Sequence, residues 1–218
     1  AYWVVLPAAG RGSRMQGEGP KQYLPLMGRP LIEWRLEALA QAGIEDVVIN
    51  LSWLGDQIRD ALGNGQRWGL RIRYSDEGPQ ALETGGGLRH ALPLLPDNAP
   101  CLVCNADIWT DFPISRLLRR TWQPEQLAHL VLVPRQGPRG DFGLEGDRIT
   151  NDPVWTFSGI SLVHPRLLSQ QPDAAFSIVP LHRAAADQGL LTGELHEGRW
   201  SDIGTPERLA AANQGYVE

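Results

Sequence analysis

The chain has 218 residues, 42% of them hydrophobic, which suits one domain with a full core, and its formal net charge is −5. The negative balance argues against a nucleic-acid partner, which wants a basic face, and no apolar run approaches the roughly 18 residues of a membrane span. With no secretory signal visible at the start, the expected setting is a cytoplasmic enzyme, a monomer or small homo-oligomer.

The first strand is Trp3-Val4-Val5-Leu6, a short buried run. It leads straight into Pro7-Ala8-Ala9-Gly10-Arg11-Gly12-Ser13-Arg14-Met15, with Pro20-Lys21 following after four residues. Ala8, Ala9 and Gly10 carry almost no side chain, so a ligand can lie directly on the backbone there. Gly10 and Gly12 reach the positive φ angles that turn successive N–H groups toward one point, and such a nest binds anions. Arg11, Arg14 and Lys21 add three cations. Backbone donors with fixed cations are what a triphosphate needs, because charge builds on it as it is attacked. The loop is not a Walker loop, since no Gly-Lys-Ser/Thr follows Gly12. It is not a dinucleotide fingerprint either, since Met15 stands where a third glycine is wanted.

Residues 30–42 read as a helix, with Pro30 in its first turn, Gly43 at its end, and Leu31, Trp34, Leu36 and Leu39 for its buried side. Residues 47–49 form a second strand, 57–62 a short helix, and 70–74 an alternating third strand. A helix opened by three glycines covers 84–92, and a fourth strand covers 101–104. Cys101 and Cys104 stand three apart in that strand, on opposite faces, and read as core thiols. Alternating strands and helices imply βαβ units and a parallel sheet.

Beyond residue 125 the rhythm changes. Residues 127–133 and 155–163 read as strands with a hairpin over 141–149 between them, so the sheet is expected to become mixed. A helix over 176–188 follows, then a last strand pair, 191–196 with 199–203. A closing helix over 205–213 has Thr205 as N-cap, Pro206 at its first position and Glu207 in its first turn. The whole is expected to be a single domain, with residues 1–125 as its first half and 126–218 as a second half that shapes a second half-site.

Asn105-Ala106-Asp107 follows the fourth strand directly. Ligands in open α/β sheets bind beyond the carboxyl ends of the strands, so Asp107 stands where a hard cation bridging phosphate oxygens would sit. Mg²⁺ usually takes one or two carboxylates and leaves its other positions to water and substrate. Asp202, in Trp200-Ser201-Asp202-Ile203-Gly204-Thr205, ends an apolar strand and offers the second carboxylate. The two are 95 residues apart, so their meeting is an expectation for the structure to test. Glu83-Thr84-Gly85-Gly86-Gly87 puts bare backbone at a helix start, where a planar base can lie. In the later half, Asp141 offers hydrogen bonds to sugar hydroxyls, and Gly159 allows a sugar to approach. The more ordinary alternatives, a turn Asp and a strand Gly, stay open for both. His90, His129, His164, His182 and His196 share no metal-ligand spacing.

The loop from Pro7 to Met15 with Pro20-Lys21 resembles the signature loop of the Rossmann-like nucleotidyltransferases, the sugar-1-phosphate nucleotidylyltransferases and their relatives. From about residue 30 onward the chain is most similar to the N-acetylmuramate 1-phosphate uridylyltransferases of cell-wall recycling. Val48-Ile49-Asn50, Leu82 to Gly87, Asp107-Ile108-Trp109-Thr110-Asp111, Gly140-Asp141-Phe142, Phe157-Ser158-Gly159-Ile160 and Asp202-Ile203-Gly204-Thr205 carry that likeness. The resemblance implies a three-layer αβα sandwich with a mostly parallel, mixed sheet. It also implies transfer of a nucleotidyl group from UTP to a sugar 1-phosphate. In this reading Arg14 and Lys21 neutralise the triphosphate. Ala8, Ala9, Gly10, Arg11, Gly12, Gly85 and Gly86 line the nucleotide, and Glu83, Asn105, Asp141 and Gly159 attend the sugar. Asp107 and Asp202 hold Mg²⁺. The opening departs from this pattern: Pro7-Ala8-Ala9-Gly10 and Pro20-Lys21-Gln22-Tyr23 look more like the methylerythritol 4-phosphate cytidylyltransferases, a mixture that a natural variant or a recombined chain would produce. Two other readings therefore stand beside the first: transfer to a non-sugar phosphate, and a nucleotide-sugar-binding module.

Overall fold

Val4, Val5 and Leu6 are completely buried, but they do not face the same way. Alternation along a strand sends Val4 and Leu6 to one face of the sheet and Val5 to the other. The same division runs through the neighbouring strands. Val47, Ile49, Leu102 and Cys104 join Val4, whereas Val48, Cys101 and Val103 join Val5. A sheet apolar on both faces needs a layer of helices on each, and near-continuous apolar strands are its mark in the sequence.

The computed structural model describes residues 2–9, 25–203 and 205–214. In chain order the elements are β1 (Trp3–Pro7), β2 (Pro25–Leu26), β3 (Arg29–Pro30), α1 (Leu31–Gln41), β4 (Asp46–Leu51), α2 (Gly55–Leu62), β5 (Arg71–Asp76) and α3 (Glu83–Ala91). They continue with β6 (Cys101–Cys104), β7 (Ile108–Thr110), α4 (Ile114–Leu118), β8 (Ala128–Val133), β9 (Phe142–Glu145) and β10 (Arg148–Val163). The last are α5 (Val179–Asp187), β11 (Leu191–Leu195), β12 (Trp200–Asp202) and α6 (Pro206–Gln214).

The main sheet runs β11-β8-β10-β6-β1-β4-β5, with β9 paired to β10. β5, β4, β1 and β6 are parallel neighbours, β10 is antiparallel to both β6 and β8, and β11 is parallel to β8. The sheet is mixed, mostly parallel, and changes character where the sequence rhythm does. α1, α2 and α4 pack on one face through Ile32, Leu36, Leu39, Ile58, Leu62, Ile114 and Leu117. α3 and α5 pack on the other through Leu88, Ala91, Ala185 and Ala186. This is the expected three-layer αβα arrangement.

Three details differ from the sequence reading. β11 and β12 do not pair with each other: β11 joins the main sheet beside β8, and β12 forms a separate two-stranded sheet with β7. α5 begins at Val179, because the 176–178 stretch bonds to α3. Phe176 donates its N–H to the Leu82 carbonyl (3.2 Å), and Ile178 donates to the Thr84 hydroxyl (3.0 Å). On α1, Trp34 is only half-buried, its indole N–H bonding the Leu26 carbonyl at 2.8 Å, while Arg35 is buried.

Candidate active site

β1 has β4 on one side and β6 on the other, so the chain reverses its winding direction at the β1–β6 boundary. In an open α/β sheet the crevice beyond such a reversal is the ligand site. Ala8 and Ala9 stand at that end of β1, both buried, with the Ala8 N–H donated to the Asn50 carbonyl at 3.2 Å. The phosphate-loop residues assigned from sequence, Gly10, Arg11, Gly12, Arg14 and Lys21, lie outside the described residues, as does Gly204.

Asn105, Ala106 and Asp107 leave the end of β6. The Asn105 N–H donates to the Gly159 carbonyl (3.1 Å) and the Ala106 N–H to the Pro7 carbonyl (3.4 Å), so this turn is pinned to strands on both sides. Opposite it, β10 bulges. Phe157 pairs with Leu132 and Ile160 with Val131, so Ser158 and Gly159 are two extra residues with no partner in β8. Bulges bend a strand and re-aim its residues, and they gather beside functional sites. Gly159 has φ +83°, and a Cβ there would stand 2.6 Å from Asn105 Nδ2, so glycine is required for both conformation and space. The Trp200 indole N–H bonds the Ser158 carbonyl at 3.0 Å, tying the bulge to β12.

β12 carries the distant carboxylate. Its pairing with β7 sets Asp202 opposite Ile108, and the Ile203 N–H donates to the Asp107 carbonyl at 2.9 Å. Asn105, Asp107, Gly159 and Asp202 thus line one open cleft of about 460 Å³, together with Gln136, Thr156, Phe157, Ser158, Trp200, Ser201 and Arg208. Arg208, from α6, forms an ion pair with Asp202 at 3.1 Å. Two carboxylates lining one cleft, with one Asp202 oxygen held by Arg208, are a hard-oxygen donor set of the kind that suits Mg²⁺, whose remaining positions go to water and phosphate.

Other assignments come out differently. Asp141 does not line this cleft. Its carboxylate accepts the Phe157 N–H at 2.8 Å, and its carbonyl accepts from Arg183 at 3.1 Å, so it shapes the strand leading to the bulge. Gly85 and Gly86 present their bare backbone to this chain's own 174–178 segment. Both N–H groups donate to the Phe176 carbonyl (2.9 and 3.0 Å). A Cβ on Gly85 would stand 2.4 Å from the Phe176 ring, and one on Gly86 would stand 2.3 Å from the Ala174 carbonyl oxygen. Close packing of protein on protein accounts for these glycines. Glu83 is exposed at the start of α3, with φ 62°. Cys101 and Cys104 are buried and free, on opposite faces, and burial pushes their thiols up to about 12 and about 11.

Sequence reasoning missed Arg35. The residue is 5% exposed, and its guanidinium donates to the Ile108 carbonyl at 2.6 Å, next in the chain to Asp107. Burial lowers its pKa, and Cys104 and Asp107 act in the other direction. A buried cation needs compensation, and the carboxylate of the cleft supplies part of it. The only sequence signal was an arginine at i+3 and i+4 from the apolar Ile32 and Leu31.

A family model described as the MobA-like NTP transferase domain matches residues 4–196. The chain belongs to that family. Along its length this NTP transferase is 40% identical to the N-acetylmuramate alpha-1-phosphate uridylyltransferase of Neisseria meningitidis serogroup B, over 96% of each chain. It is 31% identical to the protein of the same name from Caulobacter vibrioides, over 99% of this chain and 97% of the relative. A Bacillus anthracis protein crystallised with sucrose has the same fold, with a TM-score of 0.86 at 21% identity, covering 98% of this chain and 94% of that one.

Proposed function

We propose that this nucleotidyltransferase acts on UTP and N-acetylmuramate 1-phosphate, giving UDP-N-acetylmuramate and pyrophosphate in cell-wall sugar recycling. The observation that supports the reading is that Asp107 and Asp202, 95 residues apart in the chain, line one cleft beyond the carboxyl end of β6. The two uridylyltransferase relatives, similar over nearly the whole chain, support the choice of base and sugar.

In this reading a phosphate oxygen of the sugar 1-phosphate attacks the α-phosphorus in line. The bond to the bridging oxygen breaks, and pyrophosphate leaves with that electron pair. No protein nucleophile is needed, so the chain contributes positioning and electrostatics. Ala8 and Ala9 start the wall on which the triphosphate lies, and Arg14 and Lys21 offset its charge. Asn105 and the bulge at Gly159 face the sugar phosphate, and Glu83 offers a carboxylate to the nucleoside or the sugar. Asp107 and Asp202 would hold Mg²⁺, which when bound neutralises and orients phosphate oxygens. Both halves contribute to one sheet, which supports treating the chain as a single domain. Among the described residues no helix is long and apolar enough to cross a membrane.

The test is to supply UTP, Mg²⁺ and N-acetylmuramate 1-phosphate and follow both products. One pyrophosphate per UDP-sugar formed is expected. UTP binding without either product would favour the binding-module reading.

A further inference from the structure

The second carboxylate of the cleft sits on a strand of three residues that, among the described residues, pairs only with another strand of three. Such a two-stranded piece is marginal by itself, and a one-residue slip would change which side chain faces the cleft. Something beyond the ladder must set its register. The ladder runs Trp200 opposite Thr110, Ser201 opposite Trp109 and Asp202 opposite Ile108, ending with the Ile203 N–H on the Asp107 carbonyl. At the other end, the backbone of Arg199 is gripped on both sides. Its N–H donates to Asp111 Oδ1 at 2.8 Å. Its carbonyl accepts the Thr110 hydroxyl at 2.6 Å and the Asp111 N–H at 3.2 Å. His196 Nε2 lies 2.7 Å from the same Asp111 oxygen, so one carboxylate oxygen holds the chain just before and at the start of β12. The loop between passes so close that a Cβ on Gly198 would stand 2.6 Å from Asp111 Oδ1 and 2.6 Å from the His196 ring.

We infer that Asp111 and Thr110 are positioning residues for Asp202: by clamping the Arg199 backbone they fix the register that delivers the second carboxylate to the cleft. The inference rests on the reading of Asp202 as a metal ligand. The clamp also explains why β11 and β12 part company, since the chain turns at Gly198 and is captured by the segment following β7.

The experiment titrates Mn²⁺ alone, by electron paramagnetic resonance of the free ion, into the full chain and its Asp202→Asn, Asp111→Ala, Asp111→Asn and Thr110→Val variants, each with a thermal melt. Loss of groups that orient metal ligands typically weakens metal binding by about 10–100-fold, and the clamp is partly exposed, so about tenfold is expected for Asp111→Ala. Thr110→Val should shift affinity in the same direction by less, and Asp111→Asn, which keeps the acceptor oxygen, should restore most of it. Should Asp111→Ala fail to fold, Thr110→Val, nearly the same shape, carries the decision. Unchanged Mn²⁺ affinity in the folded clamp variants, with Asp202→Asn weakened, would overturn the clamp alone. Unchanged affinity in Asp202→Asn would remove the metal reading and the clamp with it.

Discussion

Gly159 shows how much of this site depends on a missing side chain. Its φ of +83° costs an L-residue about 1–2 kcal/mol, and its Cβ would displace the Asn105 amide. Gly159→Ala should therefore lower kcat/KM for the sugar phosphate by about tenfold or more, while the melt shifts by only a few degrees, since in a chain of this size each 1 kcal/mol moves Tm by roughly 2–4 °C. A steady-state comparison against thermal unfolding checks this; equal activity would make Gly159 an ordinary strand glycine. That Asp107 and Asp202 line one cleft was foreshadowed by their places at the ends of apolar runs, before sharp turns. Arg35 was not, because a single arginine on an amphipathic helix looks like a solvated residue until its burial against Ile108 is seen. Asp141 was readable as important but not in its role, since a carboxylate that accepts a backbone N–H looks in sequence like one that awaits a ligand.

At the scale of elements, period and punctuation located almost every strand and helix of the sheet, since apolar runs buried on both faces leave an unmistakable pattern. Partners were harder. Nothing local says that residues 199–203 leave 191–196 and join a strand some 90 positions earlier, because the deciding bonds come from Thr110 and Asp111. The glycine helix is a second case of a correct element with another purpose. If α3 needs its glycines to receive the 174–178 segment, Gly85→Ala must push the Phe176 ring away. Overpacking of that kind costs about 1–3 kcal/mol. The expected result is a clear loss in chemical denaturation with KM for UTP little changed in the folded fraction. A raised KM at unchanged stability would return these glycines to the nucleobase.

For the whole molecule, acid sensitivity follows from buried imidazoles. His182 lies between Phe142 and Phe157, is 1% exposed, and burial drives its pKa down to about 4. The unfolded chain takes up that proton near pH 6.5 and the native chain only near pH 4, so the unfolded state binds more protons between them. Stability is complete above about pH 6.5 and declines as pH falls toward 4, by about 3 kcal/mol from this group. His129 and His164, lowered mainly by burial, add the same sign. Urea midpoints from pH 7.5 to 4.5 should fall steadily, and His182→Leu should flatten the slope; an unchanged slope would mean that His182 does not carry it.

In the proposed function the cleft lined by Asp107 and Asp202 transfers a uridylyl group to a sugar 1-phosphate. The most direct measurement is pyrophosphate release with UTP and N-acetylmuramate 1-phosphate. It is run beside CTP and methylerythritol 4-phosphate, for the unaltered chain and for Asp107→Asn. Turnover is expected with the first pair only, with a loss on the order of 100-fold or more in the folded variant, the scale of removing one electrostatic group from such a site. A preference for the CTP pair, or an Asp107→Asn variant as active as the parent, would contradict it.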